Sequence, residues 1–523
     1  MKEKLIFALL LAGLLAAPSL AQVKEDAPVA TASITLEEAI RIALKENLNL
    51  RTEATNPELM AESLRRSRAI FAPTLTAGGT ISENNSPSSS AIDGANEAKY
   101  STNQQQFSLG VSQLLVTGGT VQADVGLSRN KSSSRFSSYN PALESQLKFS
   151  LRQPLLKGFG SMATKYNISM ARINQDKALL SLKSTVIGLI YQVETAYWNL
   201  VSATRSVEVT RKSLELARDL LRQNELQVKV GVSAPMDVLT AKAEVASRES
   251  ELIQAESDVQ TAAESLRRIL NYRASEVPLA SGDLPAFAPV VPDFSALLQQ
   301  ALENRPEVAT AKIDLKGKHL DVRYYRNQLR PDLALTASYY TTGLSGDRLL
   351  VEGNVFGEDA TIIGVIPGKL WDAIKDTLNQ DYRNYSLGLS LKIPLSNAAA
   401  RADLNSAKIN LERSLLSLKN AEATVYSDVK QVVIDVEKAR KSVDATRLAR
   451  ELADEKLVAE QKKLAVGLST NYLVLQYQRD FSTAQIAELK ALIDYNLALS
   501  RVHQVTGDSL EYYKVDLDQL ASR

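Results

Sequence analysis

The sequence predicts an α+β membrane protein, a β-barrel continued by a long α-helical coiled coil, with the whole plan internally duplicated. Three patterns predict it: a phrase that recurs 258 positions apart, runs that alternate apolar and polar residues, and apolar residues at every seventh position over long stretches. Ala43-Leu44-Lys45-Glu46-Asn47 answers to Ala301-Leu302-Glu303-Asn304-Arg305, and at the same offset Phe71-Ala72-Pro73-Thr74-Leu75 answers to Leu329-Arg330-Pro331-Asp332-Leu333. A second pair, Val230-Gly231-Val232-Ser233 and Val466-Gly467-Leu468-Ser469, lies at an offset of 236, so the halves differ by insertions yet keep one order of parts. A repeat of this kind is one architecture built twice. The first copy is expected over residues 22–292, with strands at about 73–153 and long helices at about 158–271. The second is expected over 293–523, with strands at about 331–394 and long helices at about 396–507.

The N-terminus sets the compartment. Lys2 and Lys4 precede an apolar stretch from Leu5 to Ala17, and Ser19-Leu20-Ala21 offers a small-x-small cleavage site before Gln22. Residues 1–21 read as a secretory signal peptide, because the apolar stretch falls short of the roughly 20 residues of a spanning helix. The chain has no cysteine, which excludes disulfides, thiolate metal sites and a cysteine nucleophile. Lys and Arg number 61 against 60 Asp and Glu, so nothing advertises nucleic acid. His319 and His503 are the only histidines and no Walker phosphate loop occurs, so neither a catalytic site nor a cofactor or metal is expected.

The strands come next. Leu75, Ala77, Gly79 and Ile81 alternate with Thr76, Gly78 and Thr80, and the same period-two pattern runs through Phe107–Ser112, Val121–Ser128, Leu147–Arg152, Leu333–Tyr339 and Tyr385–Ile393. One face is oily and the other polar, as in a membrane barrel with lipid outside and a wet lumen. A tight Gly118-Gly119 turn contrasts with long polar loops expected at 82–106, 129–144 and 342–383, the asymmetry of outer-membrane barrels. Aromatic residues near the strand ends, Tyr139, Tyr340 and Tyr382 among them, suit an interfacial girdle, with a core role an equal alternative for several of them. So few strands cannot close alone, and open edges are not tolerated in lipid, so the barrel is shared between subunits.

The helices follow. Leu179, Val186, Val193, Leu200, Val207, Leu214, Leu221 and Val228 form a sustained heptad series, and a shift of 236 gives Leu415, Glu422, Val429, Val436, Val443, Arg450, Leu457 and Leu464, the same phase with two polar breaks. A helix from Ser161 to Val230 would be roughly 105 Å long at 1.5 Å per residue, far beyond a membrane's thickness. Gly231 and Gly467 supply the reversals, and helices return over Val238–Leu270 and Tyr472–Val505.

Five features together now resemble a known family: Ile34-Thr35-Leu36-Glu37-Glu38-Ala39-Ile40 with Ala43-Leu44; Pro73 and Pro331 before strands; Gln153-Pro154-Leu155 and Ile393-Pro394-Leu395 after them; the two V-G-x-S tips; and Tyr495-Asn496-Leu497 leading to Gly507. The mature chain is similar throughout to the TolC-type outer-membrane efflux factors. The resemblance implies a homotrimer, with a barrel in outer-membrane lipid continuous with a periplasmic tunnel of coiled coils. It also implies a passive exit duct for small molecules delivered by an inner-membrane pump through a periplasmic adaptor. A duct for type I protein secretion shares every one of these features, whereas a trimeric coiled-coil adhesin would lack the returning helices.

Gly231, Val232, Ser233, Gly467, Leu468 and Ser469, the non-helical residues at the free coiled-coil ends, are the expected adaptor contact. Relatives place acids six and nine positions after the second tip glycine, where this chain has Leu473 and Gln476; the first repeat keeps an acid at the sixth position, Asp237. These three are the candidate gate residues, with helix capping an equal role for Asp237. Relatives also contribute four strands per subunit, whereas six period-two runs are present here, so either the barrel is enlarged or some runs lie outside the membrane.

Overall fold

The computed structural model describes residues 34–87, 99–134, 137–231, 234–271, 283, 285–353 and 361–521. The leader at 1–21 and the tip residues Val232 and Ser233 lie outside them. The chain opens with α1 (Leu36–Glu46) and α2 (Leu48–Arg68), then β1 (Thr74–Pro87), β2 (Lys99–Leu114), β3 (Thr120–Ser132) and β4 (Tyr139–Pro154). A single turn, α3 (Ser161–Thr164), precedes the long pair α4 (Tyr166–Lys229) and α5 (Pro235–Leu270). Next come α6 (Phe294–Asn304), α7 (Pro306–Gln328), β5 (Asp332–Glu352), β6 (Thr361–Ile366), α8 (Leu370–Asn379) and β7 (Tyr382–Lys392). A second long pair, α9 (Ala398–Ala465) and α10 (Asn471–Thr506), is followed by α11 (Ser509–Tyr512) and α12 (Leu517–Ala521). Local chemistry sets the breaks. The Asn47 side chain accepts the Leu50 N–H at 2.9 Å to start α2, and Pro306, which has no N–H to leave unsatisfied, starts α7.

All the strands belong to one antiparallel sheet in the order β1-β2-β3-β4-β5-β6, with β7 also paired to β5. β5 is long enough to pair with β7 over Asp332–Thr342 and with β6 over Arg348–Glu352. The register gathers the apolar residues of the six long strands onto one face: Leu75 faces Val111, Leu109 faces Val125, Ala123 faces Phe149, Phe149 faces Tyr339 and Tyr339 faces Tyr385. A slip of one residue anywhere would turn a strand's oily side over, so the alternation fixes the pairing. That face is open: Leu75 is 66% exposed, Leu387 75% and Leu389 66%. At the β2–β3 turn Gly118 has φ +89° and a Cβ there would meet the Gly158 carbonyl oxygen, so no other residue fits.

The six period-two runs therefore share one sheet. The segments expected as long loops are much shorter. β1 and β2 run on to Pro87 and from Lys99, β3 and β4 to Ser132 and from Tyr139, and 342–383 holds the end of β5, then β6, α8 and the start of β7. The extensions of β1 and β2 are rich in Ser, Asn and Gln because the strands leave the apolar band while keeping their ladder hydrogen bonds, so hydropathy stops marking them. The long first helix is also interrupted at Lys165, between α3 and α4.

The chain forms two compact units. The first comprises described residues within 47–192, 286–448 and 494–523 and contains the sheet. Here Tyr495, fully buried, donates its hydroxyl to the Ala288 carbonyl at 2.6 Å and accepts the Val290 N–H at 3.0 Å, pinning the extended segment before α6. His503 Nδ1 lies 3.0 Å from Asp508 beside Gly507, whose φ of +74° ends α10. The second unit comprises described residues within 1–46, 193–285 and 449–493 and is helical. Heptad residues Val193, Leu200, Val207 and Leu214 of α4 are buried in it, as is Leu457 of α9. Leu220, Leu457, Val474 and Leu475 form a cluster that joins the two helical hairpins. The polar break at Arg450 is met by Glu488 of α10 at 2.6 Å.

Candidate functional site at the helix tips

Both tips belong to the helical unit, and the local sequence makes each. In the second, the Gly467 N–H donates to the Leu464 carbonyl at 3.0 Å and the Leu468 N–H to the Lys463 carbonyl at 2.8 Å, a Schellman ending that requires the left-handed residue between them. Gly467 supplies it with φ +77°, and Gly231 has the same φ at the first tip, where its N–H donates to the Val228 carbonyl at 3.1 Å. α5 then restarts on Pro235, and α10 restarts behind Thr470, whose hydroxyl accepts the Leu473 N–H at 3.4 Å.

Of the expected contact residues, Gly231, Gly467 and Leu468 are exposed, Leu468 by 77%. Ser469 is half-buried and its hydroxyl is spent on the Glu460 carboxylate, which Lys463 also meets at 3.1 Å. These hydrogen bonds, Ser469's first, hold the Glu460 carboxyl below its ordinary range. The exposed apolar side chains nearby are more numerous than the tip phrases indicated. Val230, Met236 and Leu239 flank the first turn, and Val466 and Tyr472 flank the second, each at least 62% exposed. Val230 and Val466 lie two residues past the last heptad positions, Val228 and Leu464, and that broken phase was their signal.

The candidate gate residues behave differently from one another. Asp237 is half-buried and its carboxylate accepts the Ala234 N–H at 3.3 Å, so it caps α5. Leu473 is half-buried next to the core pair Val474 and Leu475, and Gln476 is exposed. The principal ionic contact near the tips involves none of them. Glu244 of α5, buried, accepts from Arg248 at 2.9 Å and from Arg479 of α10 at 3.0 Å, and Arg248 also meets Glu251 at 2.7 Å. Burial pushes the Glu244 carboxyl up, but the Arg479 hydrogen bonds and the charges of Arg248 and Arg479 outweigh it and hold it below its ordinary value. The Glu244, Arg248 and Glu251 spacing of four and three is legible on a helix, but the partner 235 residues away is not. Among the described residues no cluster of three His, Cys, Asp or Glu could hold a metal ion, and no helix is long and apolar enough to cross a membrane.

A sheet with one open apolar face combined with paired long helices that reverse at glycine tips is the architecture of an outer-membrane channel. The family of outer membrane efflux proteins matches residues 120–272 and 297–508, and the chain belongs to that family. It is 23% identical over 336 residues to the outer membrane protein TolC of Vibrio cholerae, covering 64% of this chain and 71% of that one. It is 22% identical over 361 residues to the alkaline protease secretion protein AprF of Pseudomonas aeruginosa, covering 68% of each. The fold is that of the Campylobacter jejuni CmeC outer membrane channel, with a TM-score of 0.63 at 14% identity over 92% of this chain and 88% of that one. The protein is thus an efflux channel of the outer membrane, in a family of channels rather than enzymes.

Proposed function

We propose that the chain works as a homotrimer, the exit duct of a tripartite export system in which an inner-membrane pump supplies the energy and a periplasmic adaptor docks on the helix tips. The open edges of the sheet carry this reading. β1 and β7 each have a neighbour on one side only, and both are exposed nearly throughout. Unpaired strand edges cannot stand in hydrocarbon, where each orphan N–H or C=O costs several kcal/mol. Pairing β7 of one copy with β1 of the next removes the open edges of the six long strands, and three copies of those strands reach the size class that encloses an aqueous channel. The matched order of short helices, strands and long helical pairs supports a duplication with copies at 22–292 and 293–523, behind a leader of residues 1–21.

The tips are the adaptor contact in this reading. Val230, Met236, Leu239, Val466, Leu468 and Tyr472 give them an apolar surface next to Gly231 and Gly467. Asp237, Leu473 and Gln476 line the mouth. Cargo is small molecules. A partner of the kind that the name AprF describes, a protease secretion system, would use the same duct, and the pump decides between them.

The test is export by the whole system in cells. Leu468→Glu and bulky replacements at Gly231 and Gly467 should abolish export of a pump substrate while trimer yield is unchanged. Loss of trimers instead would make the tips folding elements and remove the docking role.

A further inference from the structure

Helix α8 lies on the apolar face of the sheet, within the segment expected as a long polar loop. Along β4 and β5 that face runs Leu151, Phe149 and Leu147 and then changes to Ser145, and it runs Leu333, Leu335, Ala337 and Tyr339 and then changes to Thr341, Gly343 and Ser345. The change falls beneath α8. Ser145 and Thr341 are buried, the Ser145 hydroxyl donates to the Ala373 carbonyl at 2.7 Å, and the Thr341 hydroxyl donates to the Thr377 carbonyl at 3.0 Å. A Cβ on Gly343 would collide with the Ala373 carbonyl oxygen, so the helix backbone rests on the strand itself. Small residues that let backbones touch, with hydroxyls bonded across the contact, are how helices pack where no water competes. The Gln380 side chain, just past the helix, accepts the Tyr339 hydroxyl at 2.8 Å.

With Ala373 and Thr377 turned to the sheet, Leu370, Trp371, Ile374 and Leu378 fall on one side of the helix, and Asp372, Lys375, Asp376 and Asn379 on the other. Trp371 is 63% exposed and Leu378 61%. Their height on the barrel identifies what meets them. The strands join the long helices at Pro154 and Lys392, and Thr341 is eight residues up β5 from Leu333, roughly 27 Å along a strand. At a tilt of 35–45° that is roughly 19–22 Å of height, near the top of an apolar band about 25 Å tall and at the end far from the long helices. A tryptophan belongs at that boundary.

We propose that α8 is an interfacial helix that inserts Leu370, Trp371, Ile374 and Leu378 among the acyl chains of the outer leaflet, in place of the strand face it covers. The assignment rests on the apolar strand face meeting lipid. The chain has two tryptophans, and Trp198 is buried in α4 out of reach of quenchers, so quenching reads Trp371. The full-length protein is placed in nanodiscs of phosphatidylcholine brominated at the 6,7 positions of its acyl chains. The expected result is that bromolipid quenches part of the emission, that this part vanishes in Trp371→Phe, and that aqueous iodide does not quench it. Iodide quenching without bromolipid quenching would put the helix in water, and quenching by neither would put it under another protein surface such as a second copy; either overturns the proposal. Leu389→Trp in the Trp371→Phe background separates the two assignments: if that tryptophan is quenched by bromolipid and Trp371 is not, only the role of α8 fails, and if neither is quenched the lipid face itself is wrong.

Discussion

The sheet and the helical hairpins carry their apolar residues in equally regular patterns and do opposite things with them. In the helices the seven-residue series turns inward beyond its first members, Leu179 and Leu415, which stay exposed: Val186, Val193, Val436 and Val443 are completely buried. In the sheet the two-residue series turns outward: Ile81 is 78% exposed and Leu387 75%. Water cannot be the solvent of both surfaces, because an apolar face this broad and continuous would be covered by folding or association in a soluble protein. The difference teaches that periodicity reports the geometry of an element, and only its surroundings decide which side is the inside.

The sharpest way to break the comparison is to put a charge into each pattern. Val193→Asp places a carboxylate with no partner in a helical core, at a cost of about 4–5 kcal/mol or more, and folded protein should be lost from membranes altogether. Leu389→Arg on β7 should cost about 2–4 kcal/mol in bilayers, the range for a cation on the lipid face of a barrel, read as lowered thermal stability of the assembled channel. If Leu389→Arg were neutral in bilayers, the exposed face would be facing water.

A smaller effect is expected where the hairpins meet. Glu244→Gln removes the charge shared by Arg248 and Arg479 and should destabilise the helical unit by about 1–3 kcal/mol. Because the folded carboxyl is held below its ordinary value, the contribution is complete above about pH 4.5 and is lost as the pH falls through the lowered folded value. Thermal melts of wild type and Glu244→Gln should therefore converge on acidification below pH 4.5 and stay apart above it. Convergence at neutral pH would show that the bridge contributes nothing.

The smallest change in structure is expected at Asp237. Asp237→Asn keeps an acceptor for the Ala234 N–H while removing the charge, so stability should hold while cation preference in planar bilayers declines. With Leu473 and Gln476 in place of acids, block by trivalent cations should be weak. Tight trivalent block that survives Asp237→Asn would mean other acids line the mouth.

How much of this was legible depended on whether a repeating environment stood behind the residues. The long helices and the apolar band were readable because burial recurs every seven residues in the one and an exposed apolar side chain every two in the other, and the reversals were readable because Gly231 and Gly467 must adopt positive φ. α8 was not, because ten residues are too few for a seven-residue repeat to show itself, even though Leu370, Trp371 and Ile374 share one side and Asp372, Lys375 and Asp376 the other, and its site is built by Gly343 and Ser145 elsewhere in the chain. The strand extensions around Gln104 and Asn130 were hidden because only backbone pairing, with no apolar face, holds them. The Glu244–Arg479 contact joins residues 235 positions apart with no periodic mark on either. At the tips the turn residues could be named, while the apolar neighbours Met236 and Tyr472 could not be told from core until their exposure was known.

The central claim is that this sheet is finished only by other copies of itself. Native mass spectrometry of the detergent-extracted protein tests it most directly. Each chain weighs 57.1 kDa before any leader is removed, and the account predicts a single species of three chains that keeps its β content. A stable monomer with the sheet intact would contradict it, because β1 and β7 would then be closed by something other than a neighbouring chain.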